Sequence, residues 1–259
     1  MLEQNPASVE ASPLPSFDTA WAVFLDVDGT LLDLAERPEK VELRPGLIRT
    51  LKALRRVAPV ALISGRRIAD LDRLFAPLRL PAAGQHGAER CGADGQAHRT
   101  VVAEAALGGA RAHLLAWAHD HPGILLEDKG LTLALHYRGA PHLEAEAARV
   151  TRETLQWLGD GFMFGSGSMV YEIRPRDSDK GRAITEFMHE PPFAGHVPVF
   201  VGDDITDEDG FAVINRLGGH SIKVGAGPTA ARWRLADVMQ VLAWLDRYVQ
   251  WVAAQRPGG

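Results

Sequence analysis

A single cysteine, Cys91, stands among the 259 residues. No internal disulfide and no thiolate-built zinc cluster can form from it. One thiol fits a reducing compartment. No stretch reaches the roughly 18 uncharged apolar residues that a membrane-spanning helix needs. Residues 1–20 carry Glu3, Glu10 and three prolines, and they lack an apolar core of the signal-peptide kind. They read as a flexible N-terminal arm. The expectation is a soluble, cytoplasmic protein. Basic blocks are also missing. The net charge is −5, and the short runs at 55–57 and 65–67 make no patch, so neither nucleic acid nor an anionic membrane is expected as a partner. There is no solenoid repeat and no P-loop. His119 and His121 have no third ligand close in sequence, which argues against zinc. GAGPTA at 225–230 fits a loose dinucleotide pattern but lacks the following strand acid, and reads as a loop.

What is present is a rhythm of short apolar runs that end in polar residues. WAVFLDVDGTLL (21–32) is a buried strand emptying into a Gly turn, with Asp26 and Asp28 one residue apart. PVALISGRR repeats the pattern, ending at Ser64, Gly65 and Arg66, and VPVFVGDD repeats it at Asp203 and Asp204. One-sided helical patterns separate these runs, with Leu47, Ile48, Leu51 and Leu54 in phase in the first and Ile68, Leu71 and Phe75 in the second. Strand–helix alternation of this kind predicts an α/β fold, a doubly wound and mostly parallel sheet. The rhythm changes between residues 93 and 173, where helix, hairpin, helix and hairpin follow one another (104–120, 124–137, 143–158, 162–173). That order predicts an antiparallel α+β unit inserted into the α/β chain, leaving a core over 21–92 and 174–259. A helix over 180–188, another over 208–215, a strand over 221–224 and a closing helix over 235–253 complete the expected core.

In open α/β sheets, ligands sit beyond the carboxyl ends of the strands. Parallel strands would therefore bring Asp26, Asp28, Ser64, Arg66, Asp203 and Asp204 to one edge. Two carboxylates at i and i+2 face one small volume and repel unless a cation offsets them. Mg²⁺ is the commonest oxygen-preferring guest. The chemistry such a set suits is phosphoryl transfer. A carboxylate attacks phosphorus to give an aspartyl-phosphate, Mg²⁺ held by Asp26 and Asp203 offsets charge, and Asp28 serves as acid and then base. Thr30 and Ser64 offer hydroxyls to phosphate oxygens, and Lys180 opens a helix whose N-terminus also favours an anion.

DVDGT, ISGR, Lys180-Gly181 and GDDITDED, in that order, resemble the four motifs of the haloacid dehalogenase superfamily of phosphatases. The resemblance implies Asp26 as nucleophile, Asp28 as general acid/base, and Ser64 and Lys180 as phosphate ligands. It implies Asp203 as metal ligand with Asp204 nearby, so that Asp26, Asp28, Asp203 and Asp204 make up the expected metal set, and an inserted cap domain over 93–173 that chooses the substrate. Within that insert and before it, GQHGAE (84–89), LEDK (126–129), LHYR (135–138) and YEIRP (171–175) resemble the trehalose-6-phosphate phosphatase family. Its cap reads sugar hydroxyls with carboxylates and a lysine, which falls here on Glu127, Lys129 and Glu172. Arg66 and His86 are expected as further contacts from the rim of the core. The activity the resemblance implies is Mg²⁺-dependent hydrolysis of trehalose 6-phosphate to trehalose and inorganic phosphate.

Plainer readings stand beside these. Charges near a hairpin usually face solvent, and Asp207–Asp209 would serve in part as helix caps, with Thr206, or Asp207 through water, as a support for the metal. His136 and Tyr137 would simply pack. The rival functions are a related sugar phosphatase acting on sucrose phosphate or mannosyl phosphoglycerate, a phosphomutase, or a non-catalytic sugar-phosphate sensor. The sequence does not say whether a trehalose-phosphate synthase associates.

Overall fold

The computed structural model describes residues 14–34 and 41–255. The elements begin with β1 (Trp21–Leu25), α1 (Leu47–Val57), β2 (Val60–Ile63), α2 (Ile68–Leu74) and β3 (Ala82–Gly84). Next come β4 (Glu89–Cys91), β5 (Ala97–Arg99), α3 (Glu104–His119), β6 (Leu125–Asp128), β7 (Leu133–His136) and α4 (Glu144–Gln156). The chain continues through β8 (Phe162–Gly167), β9 (Val170–Pro175), α5 (Lys180–Met188), β10 (Val197–Gly202) and α6 (Glu208–Arg216). It closes with β11 (His220–Val224), β12 (Trp233–Leu235) and α7 (Val238–Gln255).

The larger sheet has eight strands in the order β12-β11-β10-β1-β2-β3-β4-β5. It is parallel from β12 to β3, and β4 and β5 add an antiparallel edge. Its centre alternates with a period of two, as a sheet covered on both faces requires. From β1, Trp21, Val23 and Leu25 pack with Leu51 of α1 and with Trp244 and Tyr248 of α7. Ala22 and Phe24 point the other way, onto Ile184 and Phe187 of α5 and Phe211 of α6. After β1 the chain moves to β2 and β3 on one side, then returns to β10 on the other. The crevice between β1 and β10 is thus a topological switch point, the place where such sheets bind ligands.

The smaller sheet has four antiparallel strands, β6-β7-β9-β8. Leu133, Leu135, Phe162 and Ile173 face α3 and α4, where Leu107, Leu114 and Val150 complete a core of their own. The opposite face carries Glu127, Ala134 and Glu172 in one row, since Ala134 is the register partner of both acids.

Several boundaries differ from expectation. The larger sheet does not stop at residue 92, because β5 pairs with β4. All three residues of β5 are exposed, and an edge strand without a buried face leaves no alternation to read. Gly165-Ser166-Gly167 belongs to β8, and the turn falls at Ser168 and Met169, the latter at φ +62°. Residues 1–13 of the expected arm lie outside the described residues, but residues 14–20 are not loose. Leu14 and Phe17 pack against the core, and Phe17 meets the rings of Trp21, Trp244, Tyr248 and Trp251. Aromatic contact of this kind is enough to hold a short terminal segment.

Candidate active site

The strand ends build the site. Asp26 follows β1, Ser64 follows β2, and Asp203 and Asp204 follow β10. Lys180 opens α5, whose N-cap Asp179 accepts from the Arg182 N–H at 2.7 Å. The Lys180 ammonium donates to Asp26 Oδ1 at 2.8 Å and to Asp207 Oδ1 at 2.6 Å. Burial alone would lower the Lys180 pKa, but Asp207 and Asp26 outweigh it and hold the ammonium charged well above its usual range. The other oxygen of Asp207 accepts the N–H groups of Asp203 and Asp204, both at 2.9 Å.

Among the described residues, Asp26, Asp203 and Asp207 form the acidic group able to hold a metal, with one oxygen of each within 4.8 Å of the others. Burial pushes the Asp26 carboxyl well up despite Lys180. Burial, with Asp207 and against Lys180, pushes Asp203 up to about 7. Asp203 Oδ1 is buried without a hydrogen-bond partner among the described residues. Room beside it is kept by Gly29, at φ +81°, where a Cβ would fall 2.1 Å from Asp203 Oδ2. Surplus negative charge, hard oxygen donors and an unsatisfied buried oxygen suit a divalent cation such as Mg²⁺.

The structure gathers only part of the sequence-expected metal set. Asp28 turns instead to Arg66, whose Nε and Nη2 donate to its two oxygens at 2.7 Å each. Asp204 caps the short 3₁₀ turn 205–207 in a reciprocal pair with Asp207. Both acids still line the cavity. Ser64 is buried beside it, and its hydroxyl accepts from the Arg66 N–H at 3.1 Å. Thr30 is fully buried, its hydroxyl has no partner among the described residues, and it does not line the cavity.

The smaller sheet forms the opposite wall of the same cavity through Glu127, His136 and Glu172, with Lys129 added from the turn after β6. The Lys129 ammonium donates to Glu172 Oε1 at 2.9 Å and lies 3.9 Å from Glu127 Oε2. His136 Nε2 meets Glu127 Oε2 at 2.9 Å, and His86 Nε2 meets Glu172 Oε2 at 3.0 Å. A chain of alternating groups, His136–Glu127–Lys129–Glu172–His86, therefore runs from the smaller sheet to the larger. Burial would raise both glutamates, but their cationic and imidazole neighbours outweigh it, so Glu127 is held below and Glu172 well below the usual range. Burial lowers His86, with Glu172 opposing. Ala134 and Gly165, the strand neighbours of Glu172, are small and leave its row open.

Sequence reasoning missed Asp207 as the second partner of Lys180 and His136 as the partner of Glu127. Asp207 was legible as a cap, and it also caps; the added contact joins residues 27 apart in sequence, which no local pattern shows. His136 sits two positions along β7 from Ala134, hence on the cavity face.

Parallel strands ending in paired acids, a lysine at a helix N-terminus and an inserted antiparallel unit over the site define a phosphatase of the haloacid dehalogenase type. The family model described as trehalose-phosphatase matches residues 24–239. The chain is 43% identical over 234 residues to the trehalose-6-phosphate phosphatase of Escherichia coli K12, covering 90% of this chain and 88% of that one. It is 44% identical over 207 residues to a probable trehalose-phosphate phosphatase of Sinorhizobium fredii, covering 79% and 78%. A crystal structure of a trehalose-6-phosphate phosphatase related protein superposes with a TM-score of 0.74 at 26% identity, covering 91% of this chain and 100% of that one. The C-terminal domain of the Candida albicans trehalose-6-phosphate phosphatase shares the fold, with a TM-score of 0.77 at 21% identity over 90% of this chain and 92% of that one. The chain belongs to the trehalose-phosphatase family and is a phosphoric monoester hydrolase. No described helix is long and apolar enough to cross a membrane.

Proposed function

We propose that the chain hydrolyses trehalose 6-phosphate to trehalose and inorganic phosphate, through an aspartyl-phosphate on Asp26 and with Mg²⁺ as cofactor. One observation carries the reading. A single cavity is lined on one side by Asp26, Lys180 and Asp203, and on the other by Glu127, Lys129 and Glu172. The eight-stranded unit is then the catalytic core, and the four-stranded unit is the cap that selects the sugar. The relatives in Escherichia coli and Sinorhizobium fredii carry names that agree with this substrate. A free Cys91 agrees with a cytoplasmic site of action.

Asp26 attacks phosphorus, and the bond from phosphorus to the sugar oxygen breaks as the Asp26–phosphorus bond forms. A proton passes from Asp28 to the sugar oxygen as that oxygen departs. In the second step Asp28 takes a proton from water, the water oxygen attacks phosphorus, and the Asp26–phosphorus bond breaks to release phosphate. The bidentate grip of Arg66 keeps Asp28 at the cavity wall. Lys180 offsets the charge of Asp26 and so favours the approach of an anionic substrate. Asp26 and Asp203, with Asp207 behind them, would hold Mg²⁺, which when bound adds positive charge that stabilises the transferring phosphoryl group. Glu127 and Glu172 accept from sugar hydroxyls and Lys129 donates to them, through hydrogen bonds strengthened by charge.

Asp26→Asn tests the scheme. Phosphate release from trehalose 6-phosphate falls to background while the variant remains folded by circular dichroism. Release that survives in the variant rules out Asp26 as nucleophile.

A further inference from the structure

Gln85 and His86 follow β3 at consecutive left-handed positions, φ +49° and +57°, a backbone that non-glycine side chains seldom adopt. Both side chains leave the core and end on the cap. His86 reaches Glu172, and Gly65 makes the space for it, because a Cβ there would fall 2.6 Å from His86 Nε2. Gln85 reaches the turn between β6 and β7. Its Oε1 accepts from the Leu131 N–H at 3.1 Å and from the Thr132 hydroxyl at 3.2 Å. Gln85 and Thr132 are 1% and 0% exposed, so water cannot replace either bond when it is lost.

The backbone of Gln85 is tied in the other direction. Its N–H donates to the Arg66 carbonyl at 2.8 Å, on the loop whose guanidinium holds Asp28. One residue thus joins the loop beside the phosphate end of the cavity to the turn beside its far end. That turn begins at Lys129, whose N–H donates to the Thr132 carbonyl at 3.0 Å, and the Lys129 ammonium orients Glu172 at 2.9 Å. Gln85 itself does not line the cavity.

We propose that Gln85 is a positioning residue that sets the separation between the phosphate site and the sugar-reading cluster Glu127–Lys129–Glu172, acting through the 129–132 turn and never touching substrate. The inference rests on the trehalose 6-phosphate reading for its choice of substrate, and on the two side-chain bonds alone for its mechanics. A substrate of fixed length that is anchored at both ends feels this separation directly. A small aryl phosphate, anchored at one end, does not depend on it in the same way.

The test uses Gln85→Leu, Thr132→Val and the double variant of the full chain, with amide exchange at Leu131 measured on the substrate-free protein. In Gln85→Leu the Leu131 amide exchanges faster. KM for trehalose 6-phosphate rises about tenfold, the order expected for two neutral hydrogen bonds, while kcat stays within about twofold. Thr132→Val shows a smaller rise in KM, and the double variant is no worse than Gln85→Leu, as partners in one contact require. Unchanged Leu131 exchange, an unmoved KM, a fall in kcat shared equally by trehalose 6-phosphate and an aryl phosphate, or additive losses in the double variant would each overturn the proposal. A wild-type protein without preference for trehalose 6-phosphate defeats the substrate reading instead, and the Leu131 exchange still decides the strut.

Discussion

Replacing Lys129 by Met probes the cap cluster through stability, without any substrate. Lys129 and Glu172 are 9% and 7% exposed at their side chains, and the pair is 2.9 Å apart. Removing one member of a buried ion pair leaves the other charge stranded and costs roughly 3–5 kcal/mol. For a chain of this size each kcal/mol lowers Tm by roughly 2–4 °C, so a fall of the order of 10 °C is expected at pH 8. The pH dependence carries the sign. In the wild type, burial would raise the Glu172 carboxyl, but Lys129 and then His86 hold it well below its unfolded value. Such a group contributes stability above the unfolded pKa and loses it only as pH falls through the folded one. In the variant the largest lowering partner is gone and burial remains, so the carboxyl moves above its unfolded value. The folded variant then binds the extra proton as pH falls, and its deficit shrinks between about pH 8 and pH 5.5. Thermal unfolding of both proteins at the two pH values measures this. A Tm unchanged at pH 8, or a deficit that widens toward pH 5.5, would refute the reasoning.

Two further predictions concern the two walls of the cavity separately. Gly29→Ala places a Cβ against Asp203 at a backbone angle that favours glycine, so the rise in Tm that Mg²⁺ gives the wild type is absent from the variant; an equal rise in both would show that Gly29 does not guard the metal site. Glu172→Gln keeps the shape but loses the charge that strengthens hydrogen bonds to sugar hydroxyls, a loss of roughly 1.5–3 kcal/mol. KM for trehalose 6-phosphate then rises about 10- to 100-fold, with a much smaller loss on an aryl phosphate, and parallel losses on both would remove Glu172 from sugar recognition.

The legible part of the fold was the part written in local pattern. β1, β2 and β10 are apolar runs that empty into Asp, Ser or Gly, and a parallel sheet buried on both faces produces that signature from its own burial. The same logic placed Asp26, Ser64 and Asp203 at one edge. β4, β5 and β12 escaped, because strands of three residues, whether at the sheet edge (β5, β12) or next to it (β4), are too short to show alternation. The row of Glu127, Ala134 and Glu172 depends on register between strands 7 and 38 residues apart in sequence, and the motifs pointed to its acids while pairing alone put them side by side. Gln85 and Asp207 were the harder cases. Each satisfies an ordinary local role, a turn residue and a helix cap, and only the tertiary contacts to Thr132 and to Lys180 reveal the second role.

The most direct measurement is phosphate release, with and without Mg²⁺, across trehalose 6-phosphate, sucrose 6-phosphate, glucose 6-phosphate and an aryl phosphate. Release that needs Mg²⁺ and strongly prefers trehalose 6-phosphate is the predicted result. Mg²⁺-dependent release without that preference would leave Asp26, Lys180 and Asp203 in their roles and contradict the reading of Glu127, Lys129 and Glu172 as the groups that select the sugar.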